Sequence, residues 1–130
     1  VTDAGRRRAS SGSPFEATIG FSRAVREGSR VLVSGTAPIW PDGSCPDDAG
    51  VQARRCIEII GSALEDLGAG LADVVRTRMF LCRAEDADAV GAAHAEAFGT
   101  TRPAATMVVV AALLDPRFLV EIEAEAVVAD

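Results

Sequence analysis

The chain has 130 residues, 48% of them hydrophobic and 25% charged, a balance that suits one compact domain around a single core. Thirteen basic residues against 19 acidic ones leave a net charge of -6, so broad affinity for nucleic acid is not expected. Every basic residue is arginine, tyrosine is absent and there is a single histidine, which excludes a lysine Schiff base, a phosphate-loop lysine, a phenolic acid or base, and a polyhistidine metal centre within one chain.

Residues 1–14 are rich in Arg, Ser and Gly and read as a flexible arm ahead of one domain over 15–130. Arg6, Arg7 and Arg8 are too few to turn an acidic chain into a polyanion binder, and no apolar segment follows them as in a signal peptide. A short strand is expected from Val25, turned at Glu27-Gly28-Ser29 into a second strand with Val31 and Val33 on one face and Leu32 on the other. Gly35 then permits an unusual torsion or the close approach of another group. Pro38, Pro41, Asp42-Gly43 and Pro46 mark a looping connection.

Asp47 or Asp48 is the expected cap of a long helix whose core stripe is Ala53, Ile57, Ile60, Leu64 and Leu67. Gly61 suits close packing of that helix on a sheet, and Gly68 and Gly70 end it. Residues 74–82 carry apolar side chains toward both faces, the pattern of a strand inside a sheet. Asp86 opens a second helix with Val90, His94, Ala97 and Phe98 on one side, and Gly99 stops it. Strands over 104–112 and 119–128, joined across Asp115-Pro116, complete an α/β or α+β pattern with helices over one sheet face.

Cys45, Cys56 and Cys82 are too widely spaced for a zinc knuckle or redox pair, and their odd number points to reduced thiols and a cytoplasmic location. No apolar run reaches the length of a membrane span, and no cofactor or metal is called for. The last strand puts Glu121, Glu123 and Glu125 on one face, opposite Val120, Ile122, Ala124, Ala126 and Val128. Two readings of this acidic row stay open: a solvated sheet face, or an interface where one Glu is paired or used chemically. Arg76 and Arg78 share a face of their own strand and are candidates to neutralise it.

The segments Gly20-Phe21-Ser22-Arg23-Ala24-Val25, Val33-Ser34-Gly35-Thr36-Ala37-Pro38, Arg102-Pro103-Ala104-Ala105-Thr106 and Val120-Glu121-Ile122-Glu123-Ala124 resemble the RidA/YjgF family over about residues 18–128. The resemblance implies a chorismate-mutase-like α+β chain: a mixed β-sheet covered on one face by two helices, assembled as a homotrimer with ligand clefts between neighbouring subunits. It also implies hydrolysis of reactive enamines and imines such as 2-aminoacrylate, with an arginine after the Pro-Ala pair holding the substrate carboxylate. Here that position is Ala105, the archetypal tyrosine position is Phe21, and an asparagine-like position on the second helix is Gly91.

A methyl group offers no bidentate clamp, so an altered substrate is expected. Glu123 is the expected water-positioning or general-base carboxylate, and His94 its candidate acid–base partner. Phe21, Ser34, Gly35, Thr36, Arg78, Arg102, Ala105 and Thr106 are the expected substrate-binding positions, with Arg102 or Arg78 compensating for Ala105. The reading is a small-molecule hydrolase; the alternatives are a metabolite-binding or regulatory trimer without turnover and, further off, an endoribonuclease.

Overall fold

The computed structural model describes residues 5–129. In chain order its main elements are β1 (Arg7–Ala9), β2 (Ala24–Glu27), β3 (Arg30–Thr36), α1 (Ala49–Asp66), β4 (Val74–Leu81), α2 (Ala87–Phe98), β5 (Ala104–Val109) and β6 (Val120–Val127). One six-stranded sheet has the order β1-β2-β3-β6-β4-β5. Neighbours are antiparallel except β4 and β5, which run parallel because α2 carries the chain from one to the other. The mixed sheet with two helices on one face is the α+β arrangement expected from the residues.

The last strand of the chain lies at the sheet centre, between β3 and β4. Its apolar set, Val120, Ile122, Ala124 and Ala126, is buried under α1, which also contacts β3 and α2. The helical stripe Ala53, Ile57, Ile60, Leu64 and Leu67 is buried throughout. Burying each large aliphatic side chain contributes on the order of 1.5–3 kcal/mol, so this seam carries much of the driving force. Asp48, the second of the two proposed caps, accepts from Val51 N at 3.0 Å and fixes where α1 starts.

Several expectations change. The flexible arm is corrected over part of its length: Arg7–Ala9 form an edge strand on β2, and Ala9 is buried. Arg7 and Arg26 both donate to Leu67 O, at 3.2 and 2.8 Å, placing two cations on the carbonyl end of α1. Arg6 pairs with Glu27 on the surface, and the arm's residues 1–4 lie outside the described residues. Three residues with one apolar member give no periodic signal, so β1 exists because β2 offers an edge and α1 an anchor.

Asp86 does precede α2, but its carboxylate makes no cap bond; Arg83 holds it instead, Nε at 2.9 Å and Nη2 at 3.2 Å. Gly61 faces Leu71 rather than a strand. Of the thiols, Cys56 is fully buried, whereas Cys82 is half-buried with Sγ 3.3 Å from Phe118 O.

Gln52 is fully buried on α1, and sequence reasoning passed over it. Its Nε2 donates to Pro46 O at 2.8 Å and Arg117 O at 2.9 Å, while Oε1 accepts from Leu119 N at 2.7 Å. One amide thus ties the helix to the loops before α1 and before β6. Replacing Gln52 with Leu is expected to destabilise the fold by about 2–4 kcal/mol, because the shape is kept while three backbone groups lose their partner. Urea unfolding of the two proteins measures it, and Gln52→Glu should recover little because it cannot donate twice.

Candidate functional site

β3 carries one residue more than its partner between two paired positions: Val33 stands opposite Ala124 and Thr36 opposite Ile122. The extra residue makes a bulge at Ser34-Gly35, and such bulges re-aim the backbone where pairing is interrupted. The bulge is closed by local bonds. Ser34 Oγ donates to Ser22 O at 2.7 Å, Ser34 N to Arg23 O at 3.0 Å, and Thr36 Oγ1 to Ser34 O at 2.8 Å. Arg23 Nη2 donates to Gly35 O at 2.7 Å, and its Cζ lies 5.5 Å from the centre of the Phe21 ring.

Gly35 is needed for closeness rather than for torsion. It is not among the described glycines with positive φ, and a Cβ built on it would stand 2.5 Å from Glu121 Oε2. The missing side chain lets the Glu121 carboxylate lie against the β3 backbone. That carboxylate is half-buried, and burial pushes its pKa up, with Arg23 opposing the rise and Glu123 adding to it. Arg23 in turn has its pKa lowered, by burial first, against the pull of Glu16 and Glu121. Glu16 is itself buried and bonded to both the Ser11 amide and hydroxyl.

The other two acids of the row meet arginines. Glu123 stands opposite Arg78 in the ladder, with Arg78 Nη1 at 3.1 Å from Glu123 Oε1 and 3.5 Å from Glu125 Oε1. Arg30 Nη2 lies 3.7 Å from Glu125 Oε2. Thr106 is registered beside Arg78 on β5, so Glu123, Arg78 and Thr106 form one row across the face away from the helices.

Ala105 is registered with Thr77, and Arg102 is in the exposed loop before β5. Arg102 has φ 49° and donates its backbone N–H to Phe98 O at 2.7 Å. His94 Nε2 is 2.8 Å from Thr77 Oγ1, its ring centre is 4.7 Å from that of Phe98, and burial lowers its pKa. Because Thr77 and Arg78 are adjacent in one strand, His94 and Glu123 lie on opposite sides of the sheet.

Of the expected site residues, the chain therefore gathers Phe21, Ser34 and Gly35, with Glu121 and Arg23 beside them. Glu123, Arg78 and Thr106 form a neighbouring row, two residues or about 7 Å along β6. His94 joins neither group within one chain. Thr36 is fully buried with its hydroxyl engaged inside the bulge, so it builds the site rather than presenting a donor to a ligand.

Sequence reasoning singled out neither Arg23 nor Glu121 as a site residue. The available clue was Gly35 itself, since a glycine after a β-branched strand signals that something comes close.

The protein-family model described as Endoribonuclease L-PSP matches residues 12–128. An uncharacterized protein of Streptomyces coelicolor is 39% identical over 131 residues, covering 97% of this chain and 95% of that protein. The 2-iminobutanoate/2-iminopropanoate deaminase of Salmonella typhimurium is 37% identical over 113 residues, covering 82% of this chain and 86% of the deaminase. Among solved structures, Rv2704 of Mycobacterium tuberculosis, described as a member of the YjgF/YER057c/UK114 family, is 47% identical with a TM-score of 0.88, covering 95% and 99% of the two chains. The YjgF gene product of E. coli is 28% identical with a TM-score of 0.80, covering 92% and 93%.

The raised pKa of Glu121 has a definite sign for stability. The folded state holds that proton more tightly than the unfolded chain, so the group's contribution is fully present below the unfolded pKa and is lost as pH rises through the folded value. Glu121→Gln is therefore expected to gain in melting temperature relative to wild type as pH rises from about 4 to about 8, with the gap smallest at the acid end. Paired thermal melts across that range read it directly, and a gap that narrows with rising pH contradicts the assignment.

Proposed function

This chain belongs to the Endoribonuclease L-PSP family, also called RidA/YjgF, and from that premise we propose that it is a small-molecule hydrolase acting on a compact imine, enamine or related carbonyl metabolite. The observation that carries the reading is the Glu121 carboxylate lying against Gly35 with its pKa raised by burial. A carboxyl group moved toward neutrality is fitted to take a proton from water and return it within one cycle. Glu123, already bonded to Arg78, is less available, so the role expected of Glu123 is assigned to Glu121.

The step balances without a cofactor. Water adds to the C=N carbon as the π pair moves to nitrogen, and Glu121 accepts the water proton. It passes that proton to nitrogen to give a carbinolamine, then takes the hydroxyl proton and delivers it to the same nitrogen as the oxygen pair closes the C=O bond and the C–N bond breaks, so ammonia and a carbonyl product leave and Glu121 is ionised as before. Phe21 supplies a ring wall, and the Ser34-Gly35 bulge supplies backbone.

Ala105 removes the guanidinium that the family resemblance leads one to expect, so an α-carboxylate is not the feature this site selects. Arg102, three residues upstream, is the candidate to meet an anionic group instead. Family membership also supports assembly as a homotrimer. The exposed apolar side chains Leu32, Val75, Val108 and Val127 on β3, β4, β5 and β6 support it further, since such a surface is usually covered.

The test is release of carbonyl product from an imine without an α-carboxylate, generated in situ by a flavin amine oxidase. Wild type should exceed the protein-free rate, Glu121→Gln should lose about a hundredfold of the excess, and Glu123→Gln should stay within about threefold of wild type. A Glu123→Gln loss matching that of Glu121→Gln would return the role to Glu123. Equal rates with and without protein, together with saturable metabolite binding, would leave the trimer as a binding protein. RNA cleavage is disfavoured by the net charge of -6.

A further inference from the structure

A cavity of about 320 Å³ lies between the Ser10-Ser11 segment and the outer face of α1. Its walls carry Arg23 and Arg55, Glu58 and Asp66, with Ser11 and Ser62 between them. The volume is near the lower end for small-molecule sites, enough for a metabolite of a few heavy atoms and a water or two.

The four charges are the informative part. Most arginines with a carboxylate in reach take it: Arg6, Arg30, Arg54, Arg78, Arg83 and Arg117 each pair within 4 Å. Among the described residues, none of Arg23, Arg55, Glu58 and Asp66 has an ion-pair partner within that distance, although all four surround one cavity.

The two cations are nevertheless held in place. Arg23 is fixed on Gly35 O and the Phe21 ring; Arg55 Nε donates to Ile39 O at 2.8 Å, and its Cζ lies 5.7 Å from the centre of the Trp40 ring. Arg23 Nε is also the one buried side-chain nitrogen or oxygen among the described residues without a hydrogen-bond partner. Glu16 and Glu121 attract Arg23 from beyond ion-pair distance, but neutral groups position both guanidiniums and no carboxylate is bonded to either, which leaves them preorganised to receive an anion.

We propose that this cavity binds a compact zwitterion of the α-amino acid class. Its carboxylate is drawn to the Arg23 and Arg55 guanidiniums and its ammonium to Glu58 and Asp66. A lone anion satisfies two walls and is repelled by the other two, and a lone cation meets the reverse. A molecule carrying both charges a few ångströms apart satisfies all four. The site shares only Arg23 with the Phe21–Gly35–Glu121 arrangement, and the proposal stands whether or not that arrangement hydrolyses imines.

Isothermal titration calorimetry of the full chain with glycine, L-alanine, L-serine and L-leucine tests it, with acetate and ethylammonium as matched half-ligands. At least one amino acid should bind saturably, and each half-ligand at least about tenfold more weakly. Ser62→Leu, which fills the cavity from an exposed helical position, should weaken amino-acid binding at least tenfold at an unchanged melting temperature, and Glu58→Gln should do so by a smaller factor. Silence from all four amino acids overturns the proposal. So does affinity unchanged in Ser62→Leu, which puts the ligand elsewhere, and so does acetate binding as tightly as the amino acid, which makes this a plain anion site.

Discussion

The alternation of β6 imposes the constraint around which the molecule is organised. Its even-numbered residues must be buried under α1, so Glu121, Glu123 and Glu125 are forced together on the opposite face, about 7 Å apart. Like charges at that spacing need cations nearby, and β3 and β4 bring them: Arg30, Arg78 and, from the start of β2, Arg23. The side chains of the Arg78–Glu123 pair are 39% and 33% exposed, so solvent screens the pair and its net worth is at most about 1 kcal/mol. Among the described residues, these arginines leave one acid of the three without an ion pair within 4 Å.

That acid is Glu121 because of an irregularity on the neighbouring strand. The extra residue on β3 lifts Ser34 and Gly35 out of the ladder, and the bulge is consolidated by bonds to Ser22, Arg23 and Ser34 itself. A side chain at position 35 would push the carboxylate away into solvent, where its proton affinity would relax toward an ordinary value. Fold and site are thus connected by one register shift and one missing methyl group. The flexible far end of Glu121, rather than rigid backbone, is what would have to move.

Much of this was legible before the structure. The stripe from Ala53 to Leu67, the alternation of β6 and the stops at Gly68 and Gly99 each follow from a period or a backbone preference, and all reappear. The pairing of Arg78 with Glu123 needed strand order, which spacing within one strand does not contain. β1 escaped because a three-residue edge strand is stabilised by tertiary contacts to β2 and Leu67. Gln52 escaped because a glutamine on a helix looks like surface until its three partners are known. Arg23 escaped for a related reason: its contacts with Gly35, the Phe21 ring and the field of Glu121 exist only once the strands are in order.

The exclusive use of arginine also has a structural meaning. Arg117 binds both oxygens of Asp115 through Nε and Nη2 while its Nη1 donates to Gly43 O at 2.9 Å, bracing the turn before β6 against the loop before α1. Arg83 grips Asp86 with two nitrogens, Arg78 spans two glutamates, and Arg23 joins the β3 bulge to a ring on one side and a cavity on the other. Each job asks for several donors in a fixed plane, which a lysine ammonium on a flexible stem does not provide. A small core rich in alanine leaves its loops little apolar surface to pack on, so planar cations that cross-link carbonyls and carboxylates do part of the positioning instead.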